Sequence, residues 1–229
     1  MTAQVGESSE IISVSQRPNQ QDSQLNRLSV LRFSPEQVLG DHALALAARR
    51  LRASVYIDER GFLPASAREA DGGERDADDA RSLHFLALSE NAQGDTDVVG
   101  TMRLIHKQSG ADLLPIESFF PEHFENNPVP ENGFEVSRLV VESRQNRVAN
   151  KLASFSLIYA GLTHALNESW SPCFAVLESP LERRLQNMGV KTDRVTATQW
   201  IEQYSTHNIA VEIDLSQTKR GMDTLRGAI

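Results

Sequence analysis

The apolar positions of this chain follow two different periods, and the switches between them mark out its elements. From Val38 to Tyr56 the sequence is rich in Ala and Leu with few breakers, and Ser34-Pro35 offers an N-cap and a first-turn proline, so a helix is predicted there. Two apolar runs, Leu83 to Leu88 and Val98 to Ile105, flank the polar segment Glu90 to Asp95 and predict a β-hairpin. A third strand is predicted from Phe134 to Val141, after a Pro- and Asn-rich connector from Pro121 to Gly133. Between Asn150 and Asn167, Leu152, Phe155, Ile158, Tyr159, Leu162 and Leu166 recur at helical spacing and predict a core helix. A strand from Cys173 to Leu177, a short helix opened by Pro180 and closed by Gly189, and a strand from Ile209 to Leu215 complete the pattern. This order, with no internal repeat, predicts an α/β sandwich around one central sheet.

Two stretches lack such periodicity. Residues 1–28 are rich in Gln, Ser and Asn and read as a flexible N-terminal arm, which leaves 29–229 as a single domain. From Pro64 to Arg81 the chain is polar, acidic and Gly-containing, a loop long enough to be functional or disordered.

Composition narrows the classes. The 40% hydrophobic and 24% charged residues are those of a globular chain, and no apolar run approaches the roughly 20 residues of a spanning helix, so no membrane insertion is expected. The first residues lack a basic region followed by an apolar one, and a cytoplasmic location is expected. The lone Cys173 gives neither a disulfide nor a multi-cysteine metal site and reads as a small buried residue. A net charge of −8 argues against nucleic acid as a partner.

Three clusters carry candidate chemistry. Arg52, Tyr56, Gly61 and Phe62 lie at the predicted helix end, an arrangement that an ordinary glycine cap with a packed aromatic also explains. Glu74, Asp76, Asp78 and Asp79 crowd one loop, where repulsion must be offset by solvent or by a cation. The spacing lacks the Gly and distant Glu of a calcium loop, so no metal is expected. In the strand from Phe134 to Val141, alternation puts Glu135 and Ser137 on one face and Val136, Arg138 and Val140 on the other. Arg103 adds a charge in the neighbouring strand, and a buried ion pair is one reason for such residues.

The ordered set Arg52, Tyr56, Phe62, then Glu74-x-Asp76-x-x-Asp79, then Gly100-x-x-Arg103-Leu104, then Glu135-x-Ser137-Arg138 resembles the acyl-homoserine-lactone synthases, the autoinducer synthases of quorum sensing. The later Pro180-to-Gly189 segment is similar to that family's short helix. Phe62 stands where the family usually has Trp, and Tyr56 where it usually has Phe. Arg81-Ser-Leu-His84-Phe85 and Leu114-Pro115-Ile116-Glu117 are more similar to the related N-acyl amino acid synthases and exosortase-associated acyltransferases.

The resemblance implies an acetyltransferase-like (GNAT-type) α/β/α sandwich with a mixed central sheet. It implies transfer of a fatty-acyl group from a carrier thioester to the amine of S-adenosylmethionine, followed by closure to a lactone, with no prosthetic group. Glu135 would take the amine proton, Arg103 would orient carboxylates beside Arg138, and backbone N–H groups from Ser137 to Val140 would stabilise the oxyanion. Asp76 and Asp79 would be neutralised by the cations of S-adenosylmethionine, Arg52 would pair with these acids or hold the substrate carboxylate, and Tyr56 and Phe62 would offer an aromatic face. The stretch from Arg144 to Asn150 lacks the glycines that approach a pyrophosphate, which favours acyl carrier protein over coenzyme A as donor. Arg144, Arg147, Lys151, Arg183 and Arg184 would form its basic dock. Acylation of a free amino acid, or a catalytically silent acyl-binding module, are the competing expectations.

Overall fold

The computed structural model describes residues 11–12, 27–34, 43–91, 93–142 and 147–227. The strands are β1 (Ile11–Ile12), β2 (Arg27–Phe33), β3 (Ser82–Glu90), β4 (Thr96–His106), β5 (Phe134–Val141), β6 (Cys173–Leu177), β7 (Thr192–Arg194), β8 (Gln199–Ile201) and β9 (Thr206–Ile213). The helices are α1 (Ala43–Ala53), α2 (Pro115–Phe119), α3 (Pro121–Phe124), α4 (Arg147–Asn167), α5 (Ser179–Gln186) and α6 (Leu215–Gly227). The sheet runs β1-β2-β3-β4-β5-β6-β9-β7, with β8 paired to β9. Among the described residues only β5 and β6 pair in parallel, which makes the sheet mixed as expected.

Alternation assigns the two faces. Phe85, Ala87, Met102, Leu104 and Phe134 pack with α4, whereas Leu31, Phe33 and Leu86 pack with Ala48 of α1, and Ile105 and Phe174 pack with Ile116 of α2. Helix α4 approaches the sheet closely because Gly161 has no side chain there. A Cβ at that position would stand 2.3 Å from Met102 Cε.

The hairpin, the β5 strand, the core helix and the β6–α5 unit stand where the pattern puts them. Other elements differ. Ile11 and Ile12, within the expected arm, pair with β2, and β2 itself carries apolar residues to both faces, Val30 to one and Leu31 to the other. A strand covered on both sides shows no clean alternation, which hid it in the sequence. Arg27 and Leu28, the last two residues of the expected arm, begin β2, while residues 1–10 and 13–26 and the expected helix start at Pro35 lie outside the described residues. The connector holds α3, and α6 follows the last strand, held by buried Leu215, Thr218 and Met222.

Two departures from regular geometry shape the face covered by α1 and α2. Helix α1 continues as a π-helical turn over Ser54–Glu59, whose wider winding changes the phase of its side chains. Strand β5 carries an irregularity: Arg103 faces Ser137 and Thr101 faces Val140, so Arg138 and Leu139 together oppose Met102. Arg138 has φ of 53°, a left-handed conformation that a non-glycine residue adopts at some cost. Such a bulge overturns the expectation that Arg138 faces away from Ser137. The extra residue interrupts the period of two and brings Ser137 and Arg138 to the same cluster.

Candidate active site

Four elements bring their charged residues together. Arg52 is the penultimate residue of α1, and its guanidinium donates to both Asp79 oxygens at 2.8 and 2.9 Å and also pairs with Glu74. Asp76 caps the short 3-10 helix Ala77–Arg81, its side chain accepting from the Asp78 amide, while Asp79 accepts from the Asp76 amide in return. That cap fixes both carboxylates toward β4. There Arg103 holds Asp76 through both Nη atoms, at 2.5 and 2.8 Å, reaches Asp79 at 2.8 Å, and donates Nε–H to Ser137 Oγ at 2.8 Å. Arg138 closes the network, with Nη2 2.9 Å from Glu74 and 2.7 Å from Asp76.

Arg52, Arg103 and Arg138 thus face Glu74, Asp76 and Asp79, three charges against three, and all but Asp76 are buried. Burying these ions costs several kcal/mol each, which the mutual attraction repays only because nearly every oxygen is bonded. Burial pushes the Asp79 carboxyl up, but the Arg52 and Arg103 guanidiniums outweigh it and hold Asp79 well below the usual carboxylate range. Asp76 is held low in the same way by Arg103 and Arg138. Of the two expectations for these acids, the Arg52 pairing is the one found, at Asp79, and the expected neutralisation by a substrate cation is corrected: Arg103 and Arg138 supply the remaining counter-charges from the chain itself. His84 lies under the network, its Nε2 3.3 Å from the Asp79 carbonyl oxygen, and burial pushes it down to about 4, so it stays neutral.

Glu135 behaves differently. It is 2% exposed, and its Oε2 accepts the Ile116 amide of α2 at 2.8 Å. Burial pushes its carboxyl up to about 8, and the Ile116 hydrogen bond and the nearby Arg103 offset only part of that. Helix α2 is itself anchored: Lys107 Nζ contacts both Glu117 oxygens at 2.8 and 2.9 Å, and Glu117 also accepts from the Leu114 and Val129 amides.

Beside Glu135 the sheet opens. β5 and β6 pair only from Phe134 to Val136, so from Ser137 onward β5 has no ladder partner on that side. The gap holds a cavity of about 80 Å³ lined by Tyr56 and Arg138 on one face and by Ile158, Leu162, Leu181 and Leu185 on the other. The Tyr56 ring lies 5.3 Å from the Arg138 guanidinium and 6.0 Å from the Phe62 ring, and Phe62 itself packs under Arg60 rather than in the network. The arrangement offers an open strand edge with N–H donors, a small apolar cavity, and a carboxyl able to exchange a proton near neutral pH.

Of the expected dock, Arg147 and Lys151 are exposed on the first turns of α4, and Arg183 and Arg184 are exposed on α5, whereas Arg144 lies outside the described residues. Sequence reasoning missed Tyr204, on a short 3-10 helix between β8 and β9, whose hydroxyl is 3.4 Å from Arg138 Nη1. A lone phenol in a polar stretch gives no pattern to find. Among the described residues no group of three or more His, Cys, Asp or Glu is arranged to hold a metal, and no helix is long and apolar enough to cross a membrane.

Residues 51–153 match the family described as the acetyltransferase (GNAT) domain, so the chain carries an acyltransferase-type enzyme domain. No curated protein matches it in sequence. Among solved structures it is similar to the AHL synthase LasI, with 18% identity, a TM-score of 0.65, and coverage of 86% of this chain and 95% of that one. It is similar to the CoA-dependent acyl-homoserine lactone synthase BjaI with MTA, at 22% identity and a TM-score of 0.65, over 86% of this chain and 88% of that one. It is also similar to FeeM, an N-acyl amino acid synthase from uncultured soil microbes, at 16% identity and a TM-score of 0.60, over 89% and 99% of the two chains. The fold is therefore shared with both kinds of synthase that the sequence resembles.

Proposed function

We propose that this chain moves a fatty-acyl group from the thioester of acyl carrier protein to the amine of S-adenosylmethionine and closes the product to an acyl-homoserine lactone, a quorum-sensing signal. The observation that carries the reading is the opening of β5 from β6 next to Glu135 and the ion-pair network. The acyl chain lies in the cavity, with its thioester carbonyl against the backbone N–H groups that follow Val136. The neutral amine attacks that carbonyl carbon, Glu135 accepts the amine proton, and the tetrahedral intermediate expels the carrier thiolate, which is then protonated. In the second step a carboxylate oxygen of the acylated product attacks the carbon bound to sulfur. The carbon–sulfonium bond breaks, the lactone forms and neutral methylthioadenosine leaves.

Within this reading Arg103 and Arg138 are set in place by Asp76, Asp79 and Glu74, so their remaining donors are aimed before substrate arrives. Arg52 acts at one remove by fixing the two acids. Ser137 holds Arg103, while Tyr56 and Phe62 line the approach to the cavity. Arg147, Lys151, Arg183 and Arg184 supply the basic face for an acidic carrier, on the two helices that flank the cavity. The reaction runs in the cytoplasm, where both substrates are found.

A second reading, an N-acyl amino acid synthase, is favoured by one observation. The Leu114-to-Glu117 segment, which resembles those relatives, forms the anchored helix that donates to Glu135. Incubating the chain with acyl carrier thioester and either S-adenosylmethionine or mixed free amino acids, with mass spectrometry, separates the two. Methylthioadenosine with an acylated lactone supports the first reading, and an N-acyl amino acid without methylthioadenosine replaces it with the second. Repeating the assay with acyl-coenzyme A tests the donor.

A further inference from the structure

Tyr204 is the part of the site that neither the ion-pair network nor the proposed chemistry uses. It comes from the β8–β9 connection, outside the residues matched by the acetyltransferase domain, and is turned inward where Ser205 adopts φ of 48°. Its ring packs on Phe119 of α2 with centroids 5.1 Å apart, so it rests on the same helix that donates to Glu135. Its hydroxyl faces Arg138.

The donor inventory around Arg138 decides what that hydroxyl can do. A guanidinium has five N–H donors. Arg138 directs Nε and Nη2 to Glu74 and Asp76, and Nη1 to Tyr204 at 3.4 Å, a long contact. One Nη1 hydrogen therefore remains, and Tyr204, as the acceptor of the other, keeps its own O–H to donate. Burial raises the phenol above its ordinary range, and the Arg138 guanidinium offsets only part of that, so that proton is present at neutral pH. The carboxylates of the network are already matched by arginines, and Glu135 is held largely neutral, so a ligand group arriving here meets donors and no uncompensated negative charge.

We infer that Tyr204 O–H and the remaining Arg138 Nη1–H form a two-donor seat for the α-carboxylate of the acceptor, and that Tyr204 is a specificity-determining residue for acceptors of the amino acid type. This rests on the proposed acyl transfer but not on which amine is used, because S-adenosylmethionine and free amino acids share that carboxylate. Seated there, the acceptor places its amine within one carbon of the carboxylate, on the side of the cluster where Glu135 lies, and neutral isosteres of the carboxylate lose a charge-assisted hydrogen bond.

The test uses Tyr204→Phe, which keeps the ring against Phe119 and removes only the hydroxyl. Thiol release from the acyl thioester is followed with S-adenosylmethionine and with its methyl ester, which cannot offer a carboxylate. The unaltered chain is expected to prefer the free carboxylate, and Tyr204→Phe is expected to cut that preference in kcat/KM about tenfold, the effect of losing one hydrogen bond to a charged group. The change should appear in KM for the acceptor rather than in KM for the thioester. Equal loss on acid and ester, or a shift confined to the thioester KM, would overturn the seat while leaving acyl transfer standing. If the unaltered chain releases no thiol with S-adenosylmethionine or with free amino acids, the proposed function fails and the seat with it.

Discussion

The assignment of Glu135 as the proton acceptor makes a quantitative claim about pH. Its carboxyl is pushed from 4.5 up to about 8, with burial the largest cause. At pH 7 about a tenth of the enzyme then holds the ionised base, so kcat/KM should climb about tenfold between pH 6 and 7 and level off above about 8. Glu135→Gln keeps the side-chain shape and an oxygen to accept the Ile116 amide, but cannot take a proton. The rate should fall by about 10² to 10⁴ and lose its rise toward pH 8. The same group leaves a thermodynamic trace. A carboxyl whose folded value is raised binds its proton more tightly in the folded chain, so its contribution is fully present below 4.5 and is lost as pH rises through about 8. The shift corresponds to on the order of 5 kcal/mol, at about 1.4 kcal/mol per pH unit. Urea midpoints of the wild type between pH 5 and 9 should therefore decline, while those of Glu135→Gln stay flatter. A rate profile flat from pH 6 to 8, or a Gln variant with wild-type turnover, refutes the assignment.

The ion-pair network predicts the opposite slope at acid pH. Asp79 and Asp76 are held below the ordinary 3.8, so their contribution is complete above that value and lost as pH falls below it; melting temperatures from pH 6 to 3 should drop less in Asp79→Asn than in the wild type. Arg52→Met removes the cation shared by Glu74 and Asp79 and leaves buried charge, which should cost about 3–5 kcal/mol in urea denaturation; an unchanged midpoint would mean the network is not formed in solution. Arg147→Glu combined with Arg184→Glu should raise KM for acyl carrier thioester about tenfold at low salt but not for acyl-coenzyme A; equal kinetics on the carrier reject the docking face.

The parts of the site that were legible were those written as regular periods or short spacings. The Asn150–Asn167 helix and the hairpin follow from apolar recurrence, and Arg52, Asp76, Asp79, Arg103 and Arg138 do gather in one network, as their ordered motifs imply. Two kinds of information were missing. The first is local backbone geometry: alternation assumes an unbroken pleat, and the left-handed Arg138 breaks it, so the residue turns toward Ser137's cluster instead of the core. The second is long-range pairing. Within Glu74 to Arg81 only Asp78 pairs locally, with Arg81, whereas Glu74, Asp76 and Asp79 find their partners on α1, β4 and β5, and Tyr204 reaches Arg138 because β9 pairs with β6. Neither signal exists in a window of neighbouring residues.

The division of labour among the acids follows from these contacts. Glu74, Asp76 and Asp79 are tied to arginines, and Asp76 and Asp79 stay ionised far below neutral pH, so these two do not take up a proton during a reaction near pH 7. Glu135 is bonded to a backbone amide instead of a guanidinium, and that single difference leaves desolvation to dominate its titration. Rigidity and proton exchange are thereby assigned to different carboxyls within one cluster. The network fixes where the arginine donors point, and the anchored α2 helix fixes where the exchangeable proton sits. The opening between β5 and β6 lies beside both, so a thioester placed there meets preset donors and one responsive acid without any of the paired ions having to rearrange.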